Sequence, residues 1–336
     1  MRLLMVLGVL FVFLAGCTSP PSETDWSAVR NADVARVALG WSSPEWVSIN
    51  SSGWEDGAYI SSDGKQLFFQ YTNIDLFKYP KIVISGPNRD PKKSCFAWDN
   101  NQVPRHSCGT FVEFPWGNFV RGDTFVSEKT DAGWSEPVPH PVTLGHPIGG
   151  MFLLNENKAY FFWDKSDAVK SDIFFAEKKD GNWGEPIGIA ALSSEFGDDD
   201  PFVSFDDSEL FFWSQRPSEF GSYNIFYSNK LNGTWTPPRP LPSPINSDSL
   251  DFQPFLHGNT LFFSSDREGV VKIFSSEKNG DPLDANSWST PKIVVQSKFG
   301  VGEPTLTADG KTLFFIQIFR SDNGVFNADI LFTERK

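Results

Sequence analysis

The chain is 336 residues long, 40% hydrophobic and 15% aromatic, with 33 Phe and 12 Trp, and it carries a formal net charge of −13. That apolar content is ample for a large core and excludes an intrinsically disordered chain. The acidity argues against a nucleic-acid partner, because phosphate binding needs a basic surface.

Met1-Arg2 and the apolar run 3–14 give a basic start and a hydrophobic stretch too short to span a bilayer as a permanent helix. Leu14-Ala15-Gly16-Cys17 follows and resembles the lipobox of bacterial lipoproteins. The resemblance implies a signal peptide over 1–16, cleavage before Cys17 and acylation of that cysteine. It also implies a lipid-anchored place in the bacterial cell envelope. Thr18, where an Asp would signal inner-membrane retention, points to the outer membrane. Cleavage removes only one charge, that of Arg2, taking the net charge from −13 to −14. Lipid, not charge, must then hold so acidic a protein on an anionic membrane. Residues 17–36, with Pro20-Pro21, are expected to form the lipidated N-terminus and a polar tether, and the only hint of a helical period lies in 25–39. The folded domain is expected over 37–336.

Beyond residue 40 one segment recurs: a double aromatic, an Ile-Phe-like pair, then Trp-x-x-Pro. The double aromatic falls at Phe68-Phe69, Phe161-Phe162, Phe211-Phe212, Phe262-Phe263 and Phe314-Phe315. The last four copies are spaced by 50, 51 and 52 residues, and the first stands 93 residues ahead, one period plus an insertion. Trp134, Trp183, Trp235 and Trp288 keep the same beat, each with Pro three residues on. The last copy stops at Thr333-Glu334-Arg335-Lys336, before its Trp-x-x-Pro is due. The missing piece sits near the start as Trp41-Ser42-Ser43-Pro44, to be compared with Trp288-Ser289-Thr290-Pro291. A unit split in this way predicts a closed ring: an all-β, five-bladed β-propeller of four-stranded antiparallel blades, closed by an N-terminal strand within 41–50. Turn signals such as Asn232-Gly233 and Asn279-Gly280 divide the units into short strands. Their aromatic residues are expected to pack between blades.

The first unit carries the insertion, over 73–121. Cys95 and Cys108 lie in it, 13 residues apart, and outside the cytoplasm they are expected to form a disulfide. His106 is the one histidine nearby, a weak basis for a metal site. The insertion is dense in aromatics beside Lys92-Lys93 and Arg105. Two readings stand for Trp98, Arg105, Phe114 and Trp116: a partner-binding surface, since aromatics and Arg dominate protein hot spots, or a self-packed flap over one face of the first blade.

The period also predicts where polar groups meet. Counting back eleven residues from the first aromatic gives Gly57, Gly150, Asp200 and Glu303, and the fourth unit, with a shorter turn, places Gln253 there. Asp56 and Asp199 stand one residue earlier. Carboxylates from three units, with an amide, should therefore converge on one mouth of the central channel. One reading is a cation or sugar site, in which Asp56, Asp200 and Glu303 are the catalytic candidates and Asp199 and Gln253 further ligands. The other is structural: Asp200-Pro201 and Glu303-Pro304 as turns leading into strands, their carboxylates accepting backbone N–H groups. Arg216, Arg267 and Arg320 recur after the second strands, and Asp172, Asn224 and Asp329 at the third, which suggests Arg320 with Asp329 as a pair within a blade. No His-Glu-x-x-His, Walker loop or nucleophile elbow is present, and no cofactor or metal is expected.

Pro244-Ile245-Asn246-Ser247, Asp251-Phe252-Gln253-Pro254-Phe255 and Leu261-Phe262-Phe263-Ser264-Ser265-Asp266-Arg267 resemble the TolB-type WD40-like β-propeller repeat. Ala308-Asp309-Gly310-Lys311 and Ser62-Asp63-Gly64-Lys65 match its turn, and Asp172-Ile173-Phe174 and Asp329-Ile330-Leu331 its Asp-Ile-Tyr/Phe strand. The resemblance covers about residues 41–336. It departs at Asn155-Glu156-Asn157-Lys158 and His257-Gly258-Asn259, where the Asp-Gly turn is missing. It implies a propeller and says little about activity. Two functions follow as expectations. The first is a non-enzymatic binding or scaffold protein for envelope proteins. The second is a glycan-binding or glycoside-hydrolase-like propeller that uses the mouth carboxylates.

Overall fold

The computed structural model describes residues 25–50, 54–72, 82–85, 95–98, 107–108, 112–114, 117–119, 124–143, 148–163, 171–322, 324 and 326–336. Five antiparallel sheets form the blades of a β-propeller. The innermost strands are Trp54–Ile60, Ile148–Asn155, Asp198–Val203, Asp251–His257 and Val301–Leu306. The second strands, Gln66–Thr72, Lys158–Trp163, Glu209–Ser214, Thr260–Ser265 and Thr312–Arg320, carry the double aromatics. Successive side chains of a strand point to opposite faces, so the two rings of each pair serve the two flanks of their blade. Phe68, Phe69, Phe161, Phe211, Phe212 and Phe315 are fully buried as a result.

Each Trp of the Trp-x-x-Pro segment lies opposite a basic residue: Lys129 and Trp134, Lys178 and Trp183, Lys230 and Trp235, Lys278 and Trp288. The first three ammonium groups lie 5.8, 5.1 and 4.6 Å from the indole centroids, within cation–π range. The same indoles reach a neighbouring blade, Trp183 against His140 at 5.5 Å and Trp235 against Tyr160 at 6.4 Å. The split unit obeys the rule, because Trp41 pairs with Arg335, whose guanidinium lies 5.0 Å from the ring.

Closure follows the sequence expectation. The strand Glu45–Trp46 pairs with Phe326–Glu334 of the fifth blade, Glu45 opposite Phe332 and Trp46 opposite Leu331. The Asn50 amide extends the seam, donating to the Ile330 carbonyl at 2.7 Å and accepting from the Ile330 N–H at 2.9 Å. Asn246 repeats this on Ile225, at 2.9 and 2.8 Å, and donates to the Leu241 carbonyl at 2.7 Å. In both places a side-chain amide stands in for a strand residue. Asn246→Ala should strand a buried N–H and carbonyl and cost roughly 2–4 kcal/mol in urea unfolding. Asn50→Ala should weaken the seam by a comparable amount, and a change near zero for both would refute this account of the closure.

Buried carboxylates tie the third and fourth blades each to an arginine of its own. Arg216 meets fully buried Asp198 at 2.7 Å and reaches the Leu192 carbonyl, and Arg267 holds Asp251 while donating to the Pro244 carbonyl at 3.0 Å. The fifth blade departs from this pattern and from the pair expected between Arg320 and Asp329. Arg320 lies opposite Phe326, with its guanidinium 5.5 Å over that ring, whereas Asp329 lies opposite Gln317, three rows away. Fully buried Asp329 is instead gripped in bidentate fashion by Arg30, through Nε and Nη2. Arg30 belongs to the helix Trp26–Ala32, capped by the Asp25 carboxylate, with Trp26 and Val29 packed on the core. Part of the segment expected to be tether is therefore folded onto the ring, and Arg36–Val37 adds a fifth strand to the fourth blade.

In the insertion, Ile82–Ser85, Cys95–Trp98 and Ser107–Cys108 form a small antiparallel sheet whose register sets Cys95 opposite Cys108. The chain leaves the ring after Gln66–Thr72 and returns at Thr124–Thr130, with Gln70 opposite both Asp56 and Thr124. Its point of attachment is thus the end of the first blade where the inner strand begins.

Candidate functional site: the channel mouth

The five inner strands share one irregularity. The ladder to the second strand carries one extra residue between Asp56 and Tyr59, Gly149 and Phe152, Asp199 and Phe202, Phe252 and Phe255, and Gly302 and Thr305. Each of these β-bulges contains one residue with a left-handed backbone: Gly57 (φ 63°), Gly150 (φ 53°), Asp200 (φ 48°), Gln253 (φ 53°) and Glu303 (φ 57°). They are the five positions that the repeat count brings together. Asp200 and Glu303 are bulge residues inside strands, not turns ahead of them. A bulge re-aims the side chains beside it, and Gln and Glu adopt positive φ at a cost of order 1–3 kcal/mol.

Gly150 is required for two reasons. Its φ suits glycine, and a Cβ there would lie 2.4 Å from Asp200 Oδ1 and 2.9 Å from Asp200 Cα. Gly150→Ala should therefore push Asp200 out of place and destabilise the fold by roughly 1–3 kcal/mol. Thermal unfolding at neutral pH checks this.

The bulge residues and the two that follow each of them line a cavity of about 50 Å³ at the axis. Its wall holds Asp200, Gln253 and Glu303 and no Lys, Arg or His. Part of its lining is aromatic. Tyr59 and Phe152, Phe152 and Phe202, and Phe202 and Phe255 each pack with ring centroids 5.0 Å apart, and Thr305 completes the circle. All five are buried.

The polar groups are knitted across blades. Gln253 Nε2 donates to Glu303 Oε1 at 3.0 Å, while Gln253 Oε1 accepts from the Glu303 N–H at 3.1 Å and from Ser264 Oγ at 2.6 Å. Glu303 Oε2 accepts from the Ala58 N–H at 3.0 Å. Asp200 Oδ2 accepts from Trp213 Nε1 at 2.7 Å. Asp56 reaches the carboxyl of Glu303 and adds charge to the site. Two carboxyl groups can share a hydrogen bond only when one of them holds a proton. Burial, then the charge and hydrogen bond of Asp56, then the charge of Asp200 push Glu303 well above the usual carboxylate range. Burial raises Asp200 to about 6, against the Trp213 hydrogen bond and with the Asp56 charge. The mouth therefore presents two carboxyl groups that burial and mutual charge make readier to hold a proton than ordinary carboxylates, the kind of perturbation that general acid–base chemistry uses.

Beside Asp200 lies a half-buried aromatic group. Trp213 stacks on Tyr223 at 4.7 Å with the planes 27° apart, and Phe252 packs edge-on against both.

Of the sequence candidates, Asp56, Asp200, Gln253 and Glu303 converge. Asp199 lies opposite Trp213 and is not part of the cavity wall. The structural reading of the carboxylates holds for one contact, that of Glu303 with the Ala58 N–H. Among the described residues no group of three or more His, Cys, Asp or Glu is placed to hold a metal ion. The aromatic part of the lining has no signature in the sequence that sets it apart from blade packing. Cys17, Arg105, Trp116 and the side chains of Cys95, Trp98, Cys108 and Phe114 lie outside the described residues.

No protein-family model matches the chain, and no characterised protein matches it by sequence. Solved structures do resemble it. A protein assigned as TolB from Agrobacterium tumefaciens is 13% identical, with 90% of this chain and 91% of that one covered at a TM-score of 0.41. The endo-arabinase of Bacteroides thetaiotaomicron VPI-5482 is 12% identical, with 85% and 96% covered at 0.43. The β-1,2-mannobiose phosphorylase of Listeria innocua is 10% identical, with 89% and 92% covered at 0.48. At these identities the likeness concerns the fold.

Proposed function

We propose that this chain is a glycan-binding β-propeller whose mouth performs acid–base chemistry on a glycosidic bond. One observation carries the proposal. Asp200 and Glu303, from the third and fifth blades, line one cavity, Asp56 of the first blade reaches Glu303, and burial with their mutual charge raises both lining carboxyl groups above the usual carboxylate range. A scaffold has no need of this arrangement, which costs folding energy at neutral pH. In the proposed reaction Glu303 gives its proton to the leaving glycosidic oxygen, with Asp56 supporting the acid. The Asp200 carboxylate takes a proton from the water whose oxygen bonds to the anomeric carbon, so that one water is consumed per bond broken. The aromatic faces of Trp213 and Tyr223 offer a sugar ring an apolar surface beside Asp200.

The test is a thermal-shift and product-release screen of the full chain in detergent against plant and microbial oligosaccharides. A bound sugar at about 100 times its dissociation constant adds roughly 2.7 kcal/mol of stability. The shift should vanish, and any sugar release stop, in the doubly substituted Asp200→Asn, Glu303→Gln protein. A shift that survives both substitutions would remove the mouth from the proposal and return the chain to a scaffold role.

The proposal extends to place. We infer a lipid anchor at Cys17 on the outer membrane, supported by the sequence 14–17 and by the acidity that forbids charge-based adhesion. Among the described residues no helix is long and apolar enough to cross a membrane. Cys17→Ser should release the protein from the membrane fraction and remove the acyl mass from the N-terminal peptide.

A further inference from the structure

The N-terminal segment decides which end of the ring is held towards a membrane. Arg30 grips Asp329, which lies opposite Gln317. Gln317 in turn lies opposite Val301, the first residue of the fifth inner strand and two residues before the bulge at Glu303. The helix Trp26–Ala32 therefore docks at the mouth end. Asp25 stands one turn before Arg30, its carbonyl accepting from the Val29 N–H at 3.2 Å. Residues 18–24 join it to Cys17, and even fully extended they span no more than about 29 Å. The strands Thr312–Arg320 and Phe326–Glu334 of the fifth blade run nine residues each, about 30 Å at roughly 3.3 Å per residue. Lipid on Cys17 thus holds the mouth end beside the bilayer, because turning the opposite end to it would need the tether drawn straight along the whole blade.

That end also carries a surface suited to a bilayer. Arg320 and Phe326 lie opposite each other three rows beyond Gln317, so this hairpin stands roughly 10 Å proud of the start of the inner strand. Phe326 packs edge-on against Phe299 at 6.3 Å. Gly300, next to Phe299, lies close to Val270: a Cβ on it would be 3.9 Å from Val270 Cγ1. Val270 is exposed, and Phe299 and Phe326 are half-buried. Val34 is exposed beside Ala35, whose N–H donates to Gln317. Two exposed cations stand on the rings, Lys298 Nζ 4.8 Å from the centroid of Phe299 and the Arg320 guanidinium 5.5 Å from that of Phe326. Of the acids nearby, Glu268 pairs with Lys272 at 2.7 Å, and Asp322 lies exposed in the hairpin. Apolar side chains flanked by Lys and Arg match the boundary between the headgroups and acyl chains of an anionic bilayer. The formal net charge of −13 disfavours that contact for the chain as a whole. We propose that Val34, Val270, Lys298, Phe299, Arg320 and Phe326 form a membrane seat, which lies on the bilayer that holds Cys17 and turns the channel mouth towards it. This rests on the lipid anchor inferred above and is independent of the glycan reading.

Hydroxyl-radical footprinting tests the seat. The protein recovered from membranes would be reconstituted on vesicles of phosphatidylethanolamine and phosphatidylglycerol, and compared with the Cys17→Ser protein mixed with the same vesicles. Oxidation of Val270, Phe299 and Phe326 should fall by roughly threefold or more in the anchored protein. Phe205, between the inner and second strands of the third blade, and Leu231, where its third strand ends, are exposed at the opposite end and should react equally in both. Val270→Asp with Lys298→Glu, both at exposed positions, should abolish the protection of Phe326 while the protein still sediments with the vesicles through Cys17. Equal oxidation of Phe299 and Phe326 in the two forms, protection of Phe205 and Leu231 instead, or protection that survives the double substitution would overturn the seat and leave the anchor in place. Wild-type protein that does not sediment with the vesicles would overturn both.

Discussion

Asp200→Asn should make the protein more stable at neutral pH, not less. The Asp200 carboxyl titrates at about 6 in the fold against an ordinary 3.8. The folded state thus binds more protons than the unfolded chain between those two values. Its ionised form weakens the fold above pH 6, and the penalty fades as the pH falls towards 3.8. At 1.36 kcal/mol per unit the gain on removing the charge is on the order of 3 kcal/mol at pH 7, and somewhat less in practice because the group still touches the channel. Asn keeps an oxygen for Trp213 Nε1 and tolerates φ 48° well. Thermal unfolding at pH 7 should therefore rise by several degrees, and wild type and variant should converge near pH 4. Glu303→Gln should gain less. Both Glu303 oxygens accept, from Ala58 N–H and Gln253 Nε2, and a glutamine must present its NH₂ to one of these donors. Gln253 cannot turn to help, because its oxygen already accepts from Ser264 and from the Glu303 N–H. His140 must be controlled for by comparing both proteins at every pH. Burial, helped by Lys178, depresses it to about 4, so both forms lose stability as the pH falls from 6.5. A variant that gains stability while losing sugar binding would mark the mouth as a site held at the expense of the fold. A variant less stable than wild type at pH 7 would return Asp200 to a structural role.

The ring was legible because its repeat is rigid in length. A period near 51 residues fixes the register of every inner strand, and from register alone Gly57, Gly150, Asp200, Gln253 and Glu303 could be placed at one level of one channel. The closing strand was legible for the same reason, since Trp41 repeats the part of Trp288. What could not be read was conformation and distance. The bulge at each of the five positions has no common residue type, only a frequent following Pro at 201, 254 and 304. The lining residues Phe152, Phe202 and Phe255 have the pattern of ordinary blade packing, and their place around an axis exists only once the ring is closed. The partner of Asp329 was invisible for a different reason. Arg30 lies 299 residues away and belongs to no repeat, and a period can reveal only those contacts that recur.

Arg30→Ala should be among the most damaging single changes in the molecule, although Arg30 sits in a seven-residue helix at the edge of the fold. Asp329 is fully buried and Glu55, which bears on the same pair, is fully buried too. Burial alone already raises Asp329, and the Arg30 hydrogen bonds and charge work against that rise. Without the guanidinium two carboxyl groups would face each other in the interior. The expected cost is about 3–5 kcal/mol, the usual figure for leaving one partner of a buried ion pair uncompensated. The pH dependence distinguishes this from lost packing. With Arg30 gone, Asp329 can stay folded only by holding a proton. The folded state then binds more protons than the unfolded chain, and stability should recover as the pH falls towards the ordinary carboxylate range. A helix that merely covered apolar surface through Trp26 and Val29 would show no such recovery. Arg30→Met with Asp329→Asn should restore much of the loss, since removing both charges together removes the desolvation cost with the attraction. The same helix is joined to the ring by Gln317, which donates to the Asp33 carbonyl and accepts from the Ala35 N–H at 2.9 Å. One arginine and one glutamine thus fasten the N-terminal segment to the fifth blade at the end where its second strand finishes. Urea unfolding of Arg30→Ala that costs less than about 1 kcal/mol at pH 7, or that does not ease at pH 5, would show that the segment is held by packing alone.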